Sequence, residues 1–267
     1  MSKPLAIIPT YVRESRDVTM FTKTLTSMRA TAGDDCDIIV VDDGSPAPDL
    51  IKALGLACEE HGAEFIDKGR NEGFAITVNV GMRRALNEGR DAILVNSDVE
   101  FGLTKDWVGL MQRQTNSDGE GKAAVVGALL LYDNGLIQHA GVYFSFLTRD
   151  FSHRFQYGPG NLAEAQHACV CPVTGALQFI RHSCLEEVGL YDESFKLGWE
   201  DVDYCCRVWL SGRECVYQPG IRAVHHESFF RGRADARIKE WTEFSWRRFC
   251  GKYANISFAE FVPNMLA

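Results

Sequence analysis

No stretch of the chain reaches the ~18 consecutive apolar residues of a membrane helix, so a lipid-linked substrate is expected to be met at the membrane surface. Positive charge is short as well: 28 Lys and Arg stand against 36 Asp and Glu, a formal net charge of -8. That balance excludes a general polyanion binder, because a phosphate backbone meets a net repulsive field. No Gly-x-Gly-x-x-Gly follows any apolar run, which argues against a dinucleotide-binding dehydrogenase. Internal repeats and low-complexity linkers are missing, so 267 residues read as one domain or two intimately fused halves. Nothing resembles a signal peptide, since Met-Ser-Lys-Pro runs straight into the apolar residues 5–8. The expected location is cytoplasmic, with peripheral attachment at the membrane surface as the alternative. Nine cysteines form an odd set without repeated spacing, and no second Cys or His pair at zinc spacing accompanies Cys169-Val170-Cys171. Reduced, mostly buried thiols are expected.

Short apolar runs bounded by turn residues occur at 5–8, 38–41, 63–66 and 92–95, and all suit buried strands. Helical stripes lie between them: Phe21, Leu25 and Met28 after a cap at Asp17; Leu50, Leu54 and Ala57; Val78, Met82 and Ala85. Such alternation predicts a mostly parallel sheet with right-handed crossovers and helices on both faces. Ligands in such sheets gather beyond the carboxyl ends of the strands. Those ends carry Pro9-Thr10-Tyr11, Asp42-Asp43-Gly44-Ser45, the loop from Gly69 to Gly73, and Asn96-Ser97-Asp98. The second half is less regular. Strands are expected at 123–131, 177–180, around 215–217 and at 222–224, a helix from Glu200, a mixed-charge helix over about 234–252, and a variable loop over 146–171.

Each polar segment has an ordinary reading beside a chemical one. Asn96-Ser97-Asp98 can be a polar turn, or it can set a carboxylate at the sheet rim where a hard divalent cation bridges protein and diphosphate. Asp42 and Asp43 can make a turn, or accept hydrogen bonds from a base imide and ribose hydroxyls, with the Tyr11 ring as a surface for the base. Acids in a helix's first turn are favoured by its dipole, yet Glu200, Asp201 and Asp203 behind Trp199 exceed what capping needs, and one of them can serve as general base toward a sugar hydroxyl. His225 and His226 follow a short apolar strand. Adjacent strand residues point to opposite faces, so at most one of the two faces a given metal.

In order, Ile8-Pro9-Thr10-Tyr11, Val41-Asp42-Asp43-Gly44-Ser45, Asn71-Glu72-Gly73 with Asn79-Val80-Gly81, Val95-Asn96-Ser97-Asp98-Val99, Val173-Thr174-Gly175-Ala176, Gly189-Leu190-Tyr191-Asp192-Glu193, Glu200-Asp201-Val202-Asp203 and His225-His226-Glu227-Ser228 leading to Arg231-Gly232 resemble the inverting family-2 glycosyltransferases, in particular their rhamnosyltransferase-like branch. The resemblance spans residues 5–232. It implies an α/β glycosyltransferase A fold with a Rossmann-like central sheet and a smaller mixed acceptor-side subdomain. The nucleotide-sugar-binding half would be 1–100 and the acceptor-binding and catalytic half 101–267, fused as one catalytic domain.

By that likeness Pro9, Thr10, Tyr11, Asp42 and Asp43 hold the nucleoside of a UDP- or dTDP-linked sugar donor, with Asn71 and Gly73 in the loop closing on it. Asp98 and His225 coordinate Mn2+ or Mg2+ on the diphosphate, beside Asn96. Gly175 and Ala176 let the backbone approach the donor sugar, Arg231 neutralises the diphosphate, and Asp201 is the base. Asn96 departs from the family's metal motif, which often has Asp at both ends, and implies weaker metal binding. The acceptor stays open among a saccharide, a lipid-linked saccharide, a protein, a small molecule and a modified nucleic-acid base. Residues 231–252, with seven basic and three acidic side chains, imply either contact with an anionic acceptor or membrane surface, or an amphipathic helix covering the site. The rival readings are a sugar nucleotidyltransferase, whose Gly-rich basic loop after the first strand is missing here, and a catalytically silent nucleotide-sugar-binding module.

Overall fold

The computed structural model describes residues 2–116, 121–145, 150–226 and 236–256. The four apolar runs of the first half become β1 (Leu5–Thr10), β2 (Asp37–Asp42), β3 (Glu64–Asp67) and β4 (Ala92–Val95). Helices α1 (Ser15–Ala32), α2 (Pro48–Glu60) and α3 (Phe74–Asn87) connect them. β1 pairs in parallel with both β2 and β4, and β2 with β3. The inner strands are covered on both faces, so they need apolar side chains at every position. One correction concerns α1. Its cap is Glu14, and Asp17 sits at the third helical position, where its carboxylate accepts the backbone N–H groups of Arg13 (2.7 Å) and Glu14 (3.1 Å).

In the second half β6 (Ala123–Leu131) and β11 (Leu177–Ile180) form where expected, and β11 enters antiparallel between β4 and β6. The two strands expected around 215–217 and 222–224 are one, β12 (Glu214–His225), parallel to β6, with a register shift between Gln218 and Arg222. Pro219 has no N–H to donate, and the irregularity lets the strand pass through it without losing its partner. Short strands decorate this frame: β5 (Val99–Glu100) pairs with β12, β7 (Ile137–His139) with β6, and β10 (Cys169–Val170) with β12. The expected variable loop instead carries β9 (Asp150–His153), which pairs with β8 (Val142–Ser145), followed by a 3₁₀ turn at Ala163–Gln166 and then β10. Residues 146–149 lie outside the described residues.

A single ten-stranded sheet, in order β10-β12-β6-β11-β4-β1-β2-β3 with β5 and β7 at its margin, therefore runs through both halves of the chain. Helices α4 (Trp107–Gln114) and α5 (His182–Val188) had no counterpart in the sequence reading, whereas α6 (Glu200–Leu210) begins where expected. Two apolar clusters fill the opposite faces of the sheet. A third, aromatic cluster joins the last helix, α7 (Ala236–Lys252), to the start of α6 through Phe249, Trp246 and Trp199.

Candidate active site

The turn after β4 returns immediately as β5, because Val99 N–H reaches back to Asn96 O (3.2 Å). β5 then pairs antiparallel with the end of β12, setting Val99 opposite His225, and His226 N–H donates to Asp98 O (3.0 Å). This pairing joins residues more than a hundred positions apart, and it leaves Asp98 Oδ1 3.2 Å from His225 Nε2. Both side chains are buried, at 6% and 8% exposed. Asn96 Nδ2 lies 3.3 Å from the same Nε2, and Asn96 Oδ1 is buried without a hydrogen-bond partner. His226 turns to the other face, toward Glu100 (3.0 Å) and Asp133.

A carboxylate, an imidazole and an orphaned amide oxygen on one small surface suit a divalent cation that keeps several ligands from substrate and water. Among the described residues there is no group of three His, Cys, Asp or Glu that could hold a metal ion by itself.

Asp201 stands in the first turn of α6, behind Trp199 in a left-handed conformation (φ 73°). Its Oδ2 accepts the Gly175 N–H (2.9 Å) and its Oδ1 the Val202 N–H (2.8 Å). Glycine gives this approach its room: a Cβ at Gly175 would lie 3.0 Å from the Tyr191 hydroxyl and 3.3 Å from Asp201 Cβ, so one neighbour or the other would have to shift. Next along the chain, Ala176 O accepts the Asn96 N–H (2.9 Å). A continuous run of backbone contacts thus leads from Asp201 through Gly175 and Ala176 to the Asn96–Asp98 turn. The other acids of that helix differ in setting. Glu200 is buried, and Asp203 is fully buried among Arg207, Lys252 and Tyr253.

In the loops after β1 and β2, Asp43 N–H donates to Thr10 O (2.8 Å) and Val12 N–H to Ser45 Oγ (2.8 Å), which lock the ends of the two strands together. Asp42 is fully buried, and its oxygens are taken by the Ser45 N–H (2.7 Å) and hydroxyl (2.5 Å). Burial pushes its carboxyl above the usual range, and the Ser45 bonds pull it back. Asp43 reaches instead to the loop after β3, accepting from Lys68 Nζ (2.7 Å), Glu72 N–H (2.9 Å) and Gly73 N–H (3.0 Å). Gly44 permits this closure. At φ 72°, a Cβ on it would strike the Arg70 backbone at 2.3 Å. Thr10 Oγ1 and Asn71 Oδ1 are, like Asn96 Oδ1, buried and without a partner in this structure. Leaving such an atom unpaired costs ~1–3 kcal/mol, a cost that a hydrogen-bonding ligand removes. Pro9 is buried at the end of β1, Tyr11 half-buried beyond it, and Arg231 lies outside the described residues.

Three residues here carried no sequence signal. Lys68, only 8% exposed, holds Asp43. Gln138 contacts His225 twice, and His139 accepts the Thr174 N–H (3.4 Å) while its Nδ1 meets His153 Nδ1 (2.8 Å). Buried beside His153 and His225, the His139 ring is held well below its ordinary pKa, chiefly by desolvation. A cleft of about 310 Å³ lined by Tyr132, Asp133, Asn134 and Tyr157 opens beside His225. Another hollow, of about 240 Å³ and including Ser2, Gly89 and Asp91, lies at the opposite, amino-terminal ends of β1 and β4, away from every candidate residue.

Comparison with known proteins extends this geometry. Residues 5–172 match the model of the family described as Glycosyl transferase family 2. An uncharacterized protein y4gI of Sinorhizobium fredii is 30% identical over 226 residues, 79% of this chain and 24% of that protein. The O-antigen biosynthesis protein RfbC of Myxococcus xanthus is 29% identical over 150 residues, 54% of this chain and 11% of that protein. The chain therefore spans about a quarter or less of the length of these relatives. Among solved structures, GalNAc-T7 with UDP, GalNAc and Mn2+ superposes with a TM-score of 0.68 at 16% identity, over 98% of this chain and 56% of that one. The fold is the glycosyltransferase A fold.

Proposed function

The chain belongs to glycosyl transferase family 2, and from that premise we propose that it moves a sugar from a nucleoside-diphosphate donor, UDP- or dTDP-linked, to an acceptor hydroxyl with inversion at the anomeric carbon. Within the family we place it on the rhamnosyltransferase-like branch. The observation that carries the reading is the single rim on which Asp98 and His225 stand 3.2 Å apart while Gly175 and Ala176 tie Asp201 to the same turn. Thr10, Tyr11, Asp43 and Asn71 face the nucleoside, and Asp42 builds the turn behind them. Asp98 and His225 would hold Mn2+ or Mg2+. When bound, that cation supplies positive charge to the leaving diphosphate, where negative charge grows.

Asp201 accepts the proton of the acceptor hydroxyl as the oxygen attacks the anomeric carbon and the diphosphate departs from the opposite side. The Gly175 N–H holds one of its oxygens, so the carboxylate keeps a fixed aim and the other lone pairs remain for the acceptor. Among the described residues no helix is long and apolar enough to cross a membrane. The name of the Myxococcus relative puts saccharide acceptors first among the candidates.

A panel of nucleotide sugars, offered with and without saccharide acceptors and followed by mass spectrometry, tests the reading. Transfer or slow donor hydrolysis is expected with one of them and Mn2+. Asp201→Asn should lower transfer ~10²–10⁴-fold while nucleoside diphosphate binding stays within a few-fold. A variant that transfers at the unmodified rate removes Asp201 from the role of base, and a chain that turns over no donor is a binding module.

A further inference from the structure

We propose that Gln138 is a positioning residue that decides which ring nitrogen of His225 is free to bind a cation. The inference rests on the reading of Asp98 and His225 as a cation site, and it adds to that site a residue from a different strand. Gln138 lies in β7 and is buried, so no water competes for its amide. One end of the amide is 3.1 Å from the backbone oxygen of His225, and the other is 2.6 Å from His225 Nδ1. A carbonyl oxygen only accepts, so the end facing it has to be the NH2 group, and the end facing Nδ1 is the amide oxygen. That oxygen carries no proton, so Nδ1 has to donate one. In the neutral ring that a cation requires, the single N–H is then on Nδ1 and Nε2 carries the lone pair.

Nε2 is the nitrogen that faces Asp98 Oδ1 at 3.2 Å and receives Asn96 Nδ2 at 3.3 Å. The reversed amide would set oxygen against the His225 carbonyl and push the ring proton onto Nε2, closing the position a cation needs. Sheet register makes the selection rigid: β7 pairs Leu130 with His139, and β6 in turn aligns Leu131 with Val224. The partner that fixes the ring is therefore locked to the strand carrying it, in the manner of the outer-shell groups that orient metal-binding histidines.

Long-range proton–nitrogen correlation NMR on metal-free protein reads the His225 tautomer, and electron paramagnetic resonance reads the uptake of Mn2+ offered alone. Wild type should show the Nδ1–H form. Gln138→Leu should lose that preference and bind Mn2+ ~10–100-fold more weakly, with an unchanged near-ultraviolet circular dichroism spectrum. Gln138→Glu keeps an acceptor at Nδ1 but gives up the NH2 donor to the His225 carbonyl; it should recover part of the affinity, and as it retains the Nδ1 hydrogen bond it also serves if the leucine variant fails to fold. An Nε2–H ring in the wild type overturns the proposal, as does Mn2+ affinity unchanged in the leucine variant. A wild-type protein that takes up no Mn2+ overturns the cation-site reading, and this inference falls with it.

Discussion

A methyl group on Gly175 would press on the Tyr191 hydroxyl at 3.0 Å, and that hydroxyl is itself held by Gln178 Oε1 at 2.8 Å. The wall cannot retreat, so the strain passes to Asp201 on the other side. Gly175→Ala should fold normally and transfer sugar ~10–10²-fold more slowly, because a small displacement of the base spoils its aim. Transfer assays beside a thermal melt check this; an unchanged rate would show that the close approach has no catalytic consequence. Asp98, His225 and Asp201 stood out in the sequence because each follows a buried run or opens a helix, whereas Gly175 was implied only by the family resemblance. Gln138 and His139 were not. They sit in a three-residue strand too short for any pattern, and their partners lie on other elements: His225 is aligned through β6, β7 and β12, His153 is in β9, and Thr174 is in the loop before β11. Lys68 was missed for a similar reason: its partner Asp43 is on another strand's loop.

Among the elements, α7 illustrates how an acid that looked catalytic serves packing. Lys252 Nζ approaches Asp203 Oδ1 at 2.6 Å, Tyr253 Oη donates to the same oxygen at 2.9 Å, and Arg207 Nε approaches Oδ2 at 2.9 Å. Asp203 is fully buried, while Lys252 and Arg207 keep partial contact with solvent at 29% and 21% exposed. Removing the carboxylate therefore leaves cations that water still reaches in part, and the cost is below that of a wholly buried pair. Asp203→Ala should destabilise the protein by ~1–3 kcal/mol and speed proteolysis within 236–256. Urea titration with timed trypsin digestion measures both, and a variant as stable and as resistant as wild type would remove Asp203 as the tether. At this scale β1, β2 and β4 were readable as buried strands from apolar runs alone, whereas the run at 63–66, also expected to be buried, forms β3 at the sheet's edge, where none of its residues is fully covered. β12 was read as two strands because Pro219 and Gly220 interrupt the apolar pattern without ending the pairing with β6. Helices α4 and α5 are short, at 8 and 7 residues, and too brief to show a convincing stripe.

For the whole molecule, the depressed pKa of His139 makes stability depend on pH in a definite sense. In the folded protein the buried ring stays neutral at a pH where the unfolded chain, with an ordinary value of ~6.5, already binds a proton. The unfolded state binds more protons, so stability rises with pH and is lost as pH falls below ~6.5, by up to ~1.4 kcal/mol per pH unit for this one group. Urea midpoints measured between about pH 8 and pH 5 should fall accordingly, and His139→Gln should flatten the profile; parallel profiles for the two proteins would contradict the assignment. A different whole-molecule consequence follows from the antiparallel β11. Between the end of β6 and the start of β11, its immediate neighbour, the chain touches the sheet margin at β7 and β10 and returns with Gln178 opposite Gly127. Residues 132–176 are thus an excursion whose departure and landing points share one doorway. Among the described residues its middle, the two-stranded β8–β9 ribbon, pairs with no strand of the main sheet, so that ribbon can be altered without re-threading the sheet. Gln138 near one end of the excursion and Gly175 and Ala176 at the other hold His225, Asp201 and Asn96, so variation that spares the proposed site belongs to the ribbon between them.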